Sequence, residues 1–305
     1  MTSKKDQGGL NHLYKLLSQY EEEGEKAYMQ PRVTNEHSTG DPLIDEYLGG
    51  GYGRPSAYEI VMVFGDTGVN KSTFSTQMIL QPAMEGKKVT LFALEDDVTD
   101  VYSRIRRQSS RYAQSRFADP LEAMRKISTN VMMAPDSDGY TLEAMAIEIE
   151  GVFRTGTDIV VVDPLQFIFE ASVVEKTETE FNRQRLFMRQ INNMMKRVAR
   201  ETGKSKTIIL VSHTNKGRYD SPLDNIMGSG ANKQVPTKII QVYRDECGRK
   251  FLRLHKSRFT QHRFGPHPVE LDSETMTFHT IPCPDGTKPD DWARSVREGW
   301  DYRGK

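Results

Sequence analysis

Cysteine is nearly absent: Cys247 and Cys283 are the only two in 305 residues. That is too few for a disulfide framework or a four-ligand zinc site. An excess of either charge is missing too, since 42 basic residues balance 42 acidic ones. No whole-chain field therefore draws the protein to a polyanion, and local clusters have to carry that question. No apolar run approaches the roughly 20 residues a membrane span needs. The start, Met1-Thr2-Ser3-Lys4-Lys5-Asp6, lacks the apolar core of a signal peptide. The expectation is a soluble chain without membrane contact, working in a cytoplasm. Internal repeats are absent, and no clear linker follows residue 55. The length suits one large domain or two small ones, either with a sizeable core.

What is there is organised around Gly65-Asp66-Thr67-Gly68-Val69-Asn70-Lys71-Ser72. An apolar run, Ile60 to Phe64, precedes it, and a helical stretch opening at Thr73 follows. Strand, tight turn, helix is the setting in which backbone amides and a helix N-terminus cradle phosphates. Lys71 would reach the β- and γ-phosphates, and the Ser72 hydroxyl would ligate Mg²⁺. The pattern G-x-x-x-x-G-K-[ST] is broken once, by Asn70 in place of the second glycine. Asparagine tolerates positive φ better than most residues, so the turn is expected to survive. A chance match or a dead nucleotide site is the competing reading.

Ahead of the loop, Leu10, Leu13, Tyr14, Leu17 and Tyr20 recur at helical spacing before an acidic run. That stripe must be buried, on its own domain or on a neighbouring subunit. Ser38 to Gly51 reads as a short capped helix closed by a glycine turn. Behind the loop, strands are expected at 89–94, 130–133, 159–162 and 207–211, with helices at 98–116, from Thr141, and over 181–202. Two hairpins follow, 239–243 with 251–255 and 269–271 with 276–278. Strands alternating with helices and then hairpins predict an α/β fold: a central, mostly parallel sheet flanked by helices, with an antiparallel C-terminal edge. The expected division is 1–37 as a linker or oligomerisation helix, 38–281 as the core, and 282–305 as a mobile tail.

Several polar residues fall at the ends of apolar strands. Asp163 follows Ile159-Val160-Val161-Val162 directly, where a second Mg²⁺ contact belongs; a turn aspartate is the plainer alternative. Glu95 ends the strand after the loop helix and could polarise a water as general base, or be surface charge beside Asp96 and Asp97. His213 ends another strand and could sense a γ-phosphate, although strand-end histidines are ordinarily just satisfied polar groups. Lys256 and Arg258 alternate onto one face of an edge strand, as an arginine finger would require or as a charged edge that blocks strand pairing. Basic residues gather over 183–206 and again in Lys216, Arg218 and Lys233. Helix clusters are usually solvated faces, but a basic, glycine-bearing loop suits a polyanion backbone.

These pieces in this order resemble the RecA-like ATPases of the replicative helicase group: DnaB-type helicases, phage primase-helicases, Twinkle and plasmid hexameric helicases. The likeness spans about residues 38 to 280. Asp163-Pro164-Leu165-Gln166 is similar to the family's Walker B, and Leu94-Glu95 sits like its catalytic glutamate. Ser212-His213-Thr214-Asn215-Lys216-Gly217 resembles its phosphate-sensor strand. Gly228-Ser229-Gly230-Ala231-Asn232-Lys233-Gln234 resembles its DNA-binding loop, and Lys256-Ser257-Arg258-Phe259 its paired trans fingers. The resemblance implies an NTP- and Mg²⁺-dependent DNA helicase, a homo-hexameric ring on single-stranded DNA. Its nucleotide contacts would be Gly65 through Thr73, its metal ligands Ser72 and Asp163. Its catalytic set would be Lys71, Glu95, Asp163, His213, Lys256 and Arg258, and its DNA contacts Lys216, Arg218, Gly230 and Lys233. Primase, polymerase or a helicase loader would be partners. Two departures stand out: Asn70, and the lack of a primase or collar domain ahead of the core, which leaves the helix near 10–20 to grip the adjacent subunit. A RecA- or UvsX-like strand-exchange recombinase shares the core and is the closest rival; a non-catalytic loader or scaffold is the third class.

Overall fold

The computed structural model describes residues 35–116, 120–134, 141–171, 180–214, 223, 226, 230–259, 265–282, 287, 291 and 292. The chain divides into two compact units, Met1–Thr34 and Asn35–Lys305, and all the described residues belong to the second. The expected helix near residues 10–20, Lys216, Arg218 and most of the tail lie outside the described residues.

Helix α1 (Pro42–Tyr47) forms because Asp41 caps it, accepting from the Leu43 and Ile44 amides at 3.0 Å each, with Pro42 in the first turn. Strand β1 (Tyr58–Gly65) runs into the phosphate loop, and α2 (Lys71–Met84) leaves it. Then come β2 (Val89–Ala93), α3 (Val98–Arg116), α4 (Pro120–Ser128) and β3 (Val131–Met133). Next are α5 (Leu142–Arg154), β4 (Ile159–Asp163), α6 (Leu165–Ala171), α7 (Glu180–Thr202) and β5 (Lys206–His213). The chain continues through α8 (Ala231–Gln234), β6 (Lys238–Arg244), β7 (Lys250–Ser257), β8 (Pro266–Leu271) and β9 (Phe278–Thr280).

The strands make one sheet in the order β3-β2-β4-β5-β1-β6-β7-β8-β9. Pairings are parallel from β3 to β6 and antiparallel from β6 to β9. This is the α/β sheet with an antiparallel edge that the sequence pattern implied. Period-two alternation sends Val61, Val63, Ile159 and Val161 to one face, where they pack with α1 to α4. Ile60, Met62, Phe64, Val160 and Val162 face the other way, onto α5, α6 and α7. Each such fully buried side chain stabilises the sandwich by about 1.5–3 kcal/mol.

Helices α4 and α6 were not anticipated. The second hairpin is displaced: its last strand covers Phe278–Thr280 rather than 276–278. The Asp272 side chain accepts from the Glu274 and Thr275 amides, and Met276 takes a positive φ of 54°, so the turn extends to Thr277. Within the segment expected as a mobile tail, Trp292 is buried against Phe251 and Ile281.

Because β1, β2, β4 and β5 are parallel, their C-terminal ends emerge at one edge. The order places β1 beside β5 while its crossover leads to β2, which is the switch-point arrangement that opens a ligand crevice.

Candidate nucleotide site

Four strand ends build the crevice: Gly65 after β1, Glu95 beyond β2, Asp163 on β4 and His213 on β5. Glycine is required at 65 by close approach, since a Cβ there would lie 2.0 Å from the Val242 carbonyl oxygen. Asn70 stands in the left-handed region at φ 73°, ψ 39°, so it supplies the turn that glycine usually makes. No side chain caps α2 at this end, and a Cβ on Gly68 would meet nothing within 4 Å. The first-turn amides are therefore available to an anion.

Lys71, 6% exposed, donates to the Asp66 carbonyl at 2.8 Å and lies 3.3 Å from His213 Nδ1. Burial lowers its pKa, opposed by the carboxylates of Asp163, Glu95 and Asp66. An ammonium only donates, so His213 Nδ1 accepts and its proton sits on Nε2. That nitrogen is 3.7 Å from Glu95 Oε2. Lys71, His213 and Glu95 thus stand in one row. Asp163 is 7% exposed; Ser75 Oγ donates to it at 3.2 Å and the Ser72 hydroxyl donates as well. Burial raises its pKa to about 6 against those hydroxyls and the nearby Arg104 charge.

A nucleotide and its Mg²⁺ fit this donor set. The open helix terminus and Lys71 suit phosphate, and the hydroxyl and carboxylate of Ser72 and Asp163 are the hard oxygen ligands Mg²⁺ takes alongside phosphate oxygens and water. Bound there, the cation would neutralise charge on the phosphates.

Thr214 Oγ1 hydrogen-bonds Asp66 Oδ1, and Thr214 bridges to Ile226, so the loop after β5 starts and returns beside the phosphate loop. Gly230 and Lys233 lie further on, around α8. Lys256 Nζ donates to the carbonyls of Lys233 (2.9 Å) and Gln234 (2.8 Å), and Arg258 donates to that of Gln234. Burial and the Arg258 charge push Lys256 down to about 8. The pair is not in the crevice. Arg258 N bonds Thr237 O and Thr237 N bonds Ile60 O, at the opposite end of β1 from Gly65.

On α7, Arg197 meets Glu150 at 2.5 Å and Arg183 lies 3.9 Å from Glu143, while Arg185, Arg189, Lys196 and Arg200 are exposed. Lys206 is buried, donating to the Thr157 carbonyl. Two residues, Ser75 and Lys250, escaped sequence reasoning. Ser75 holds Asp163 one helical turn past the loop. Gln166, read in sequence with Asp163, donates from Nε2 to Ser212 Oγ at 2.7 Å, tying the start of α6 to β5. Lys250 donates to Asn70 Oδ1 at 2.6 Å. The helical spacing from Ser72 could have suggested Ser75; nothing in sequence connects Lys250 to the loop.

The sheet order, the loop at the end of β1 and the carboxylate on β4 define a P-loop NTPase of RecA-like architecture. A family profile described as AAA domain matches residues 51–219, more than half the chain, and the protein belongs to that family. Among solved structures it is similar to the ATPase domain of G40P, with 20% identity over 90% of this chain and 99% of that one and a TM-score of 0.63. A DnaB-like replicative helicase, solved for its interactions with primase, gives 18% identity, TM-score 0.62, and coverage of 90% and 68%. A KaiC-like protein from Pyrococcus horikoshii OT3 gives 20% identity, TM-score 0.56, and coverage of 83% and 99%. At such identities the likeness is one of fold. No curated protein matches in sequence. Among the described residues no helix is long and apolar enough to cross a membrane.

Proposed function

We propose that the chain is an NTP-driven DNA helicase motor that assembles as a hexameric ring and moves 5′-to-3′ on single-stranded DNA. The observation that carries the reading is the row Lys71–His213–Glu95 at the root of the loop that begins at Thr214. A γ-phosphate beside Lys71 would disturb the lysine's contact with His213, and the strand end that carries His213 leads straight into the basic loop. Glu95 acts as general base on the attacking water, and Ser72 and Asp163 hold Mg²⁺. Lys216, Arg218, Gly230 and Lys233 contact the DNA backbone. Lys256 and Arg258, held on the carbonyls that end α8, serve the neighbouring subunit's phosphates. This coupling would let nucleotide state in one subunit move the DNA loop of the next. The setting is DNA replication in a bacterial or phage-infected cytoplasm, alongside primase, polymerase or a loader.

The test is an ATPase assay with and without single-stranded DNA, with electron micrographs of the same sample. DNA-stimulated hydrolysis together with closed rings supports the reading. DNA-coated filaments instead would favour strand exchange, and absence of hydrolysis would favour a scaffold.

A further inference from the structure

Phe187, Ile191, Met194 and Val198 fasten α7 to the sheet, which leaves the opposite side of the helix to solvent. An α-helix turns about 100° per residue, so Arg185, Arg189, Lys196 and Arg200 fall within a wedge of about 60°. All four are exposed. Asn182, Asn192 and Asn193 lie in or beside the same wedge, whereas the two acids of α7, Glu180 and Glu201, fall at other angles. Glu201 meets Arg154 at 2.7 Å, and Arg183 and Arg197, on the flank toward α5, have Glu143 and Glu150. Among the described residues no carboxylate pairs with the four cations of the wedge. Tyr58, at the start of β1, donates to Asn192 Oδ1 at 3.1 Å and ties this side of the helix to the sheet. The charges of Arg54, Arg258 and Arg200 all bear on that phenol, so cations continue past the end of the helix.

We propose that this stripe binds the sugar-phosphate backbone of double-stranded DNA, with Arg185, Arg189, Lys196 and Arg200 each neutralising a phosphate and no base being read. From Arg185 to Arg200 the stripe is about 22 Å long at 1.5 Å per residue, roughly two-thirds of one duplex turn. Its chemistry is guanidinium, ammonium and carboxamide, the groups that hold phosphate and sugar oxygens. A protein partner would need apolar side chains at the core of the contact, and the wedge carries none; Leu186, the exposed apolar residue of α7, lies just outside it. A single strand would be held by aromatic rings on which its bases stack, and these too are missing from the wedge. The regular backbone of a duplex, with its bases turned inward, asks only for charge. The inference goes beyond the proposed motor, whose single strand lies on the loop after β5, and it does not depend on turnover.

The test is fluorescence anisotropy of a labelled blunt duplex of mixed sequence, titrated with the nucleotide-free full chain over a range of salt. The variant carries Arg185→Gln, Arg189→Gln, Lys196→Gln and Arg200→Gln together, and because all four residues are exposed the buried face of α7 is untouched. Each lost phosphate contact lowers the log–log salt slope by about 0.9, so the slope should fall by about 3 to 4. Between about 50 and 200 mM salt the unaltered chain should lose roughly 10²-fold more affinity than the variant. Lysine at the three arginine positions should keep the slope. Arg197→Gln, on the flank beside Glu150, should leave it unchanged. An unaltered slope in the fourfold variant would overturn the inference, as would an equal loss per charge in Arg197→Gln, which would mark a bulk-charge effect. A slope lost only with a single-stranded oligonucleotide would overturn the assignment to duplex. Binding of poly-L-glutamate through the stripe, with no duplex bound at about 50 mM salt, would hand the face to an acidic protein and overturn it as well. If ATP hydrolysis is absent while the slope change holds, the motor reading falls and the duplex face stands.

Discussion

Arg258 should act on the neighbouring subunit's nucleotide and not on its own. Its backbone lies level with Thr237 and Ile60, five residues short of Gly65 along β1. At 3.3 Å per residue that is about 17 Å along the strands, plus about 10 Å across two strand spacings. The resulting separation of about 20 Å from the loop of its own chain exceeds the reach of an arginine side chain, which spans only about two residues of extended backbone. Arg258→Ala should therefore bind nucleotide nearly normally while hydrolysis falls roughly 10³- to 10⁵-fold, the effect of removing an arginine finger. Lys71→Ala should be equally inactive for the opposite reason, with an intact finger and a disabled loop. In a ring assembled at random from equal amounts of both, roughly a quarter of the head-to-tail interfaces pair an intact loop with an intact finger. Turnover should recover towards that fraction of wild type. The assay is steady-state ATPase over a series of mixing ratios, with subunit exchange followed by a fluorescent label. Exchange without recovery would refute the trans assignment, and with it the main mechanistic support for a ring.

Glu95→Gln should bind nucleotide while hydrolysis drops roughly 10²-fold or more, whereas Lys71→Ala should lose both, as read by nucleotide titration and turnover. Equal turnover in Glu95→Gln and wild type would remove Glu95 from the catalytic role. Lys233→Ala should weaken single-stranded DNA binding alike for all sequences and reduce the log–log salt slope by about one; an unchanged slope measured by anisotropy would move the DNA site elsewhere. His37 and His255 both have pKa values lowered to about 4, chiefly by burial. The unfolded chain then binds more protons than the folded one between about pH 4 and 6.5, so stability should fall as pH drops through that window. His255, packed on Phe64 and bonded to Gln241, gives the check: His255→Gln should flatten part of the decline in urea midpoint from pH 6.5 to pH 4.5.

Sequence alone determined the parts that depend on local chemistry. The phosphate loop, the apolar runs of β1 and β4, the capped α1 and the acids and histidine at strand ends were legible because period and punctuation encode them. Asn70 could be read as a positive-φ residue, and the backbone bears this out. The α/β class followed from the alternation of elements. Helix α4 stayed hidden because its short span buries Ala123, Met124 and Ile127, too brief a stripe to show a period. Met276 and Thr277 carried a strand's composition, yet the Asp272 turn consumed them and the strand begins at Phe278.

Tertiary structure decided everything that depends on which distant surfaces meet. The order β5-β1-β6 brings Lys71 to His213 and leaves Arg258 at the far end of the sheet. It also sets Arg183 and Arg197 of α7 against Glu143 and Glu150 of α5, so those two charges meet acids there. Above all, it places Lys250 on Asn70. A hydrogen bond across 180 residues leaves no periodicity in a sequence, because it exists only once parallel crossovers and an antiparallel edge have stacked β1, β6 and β7 side by side.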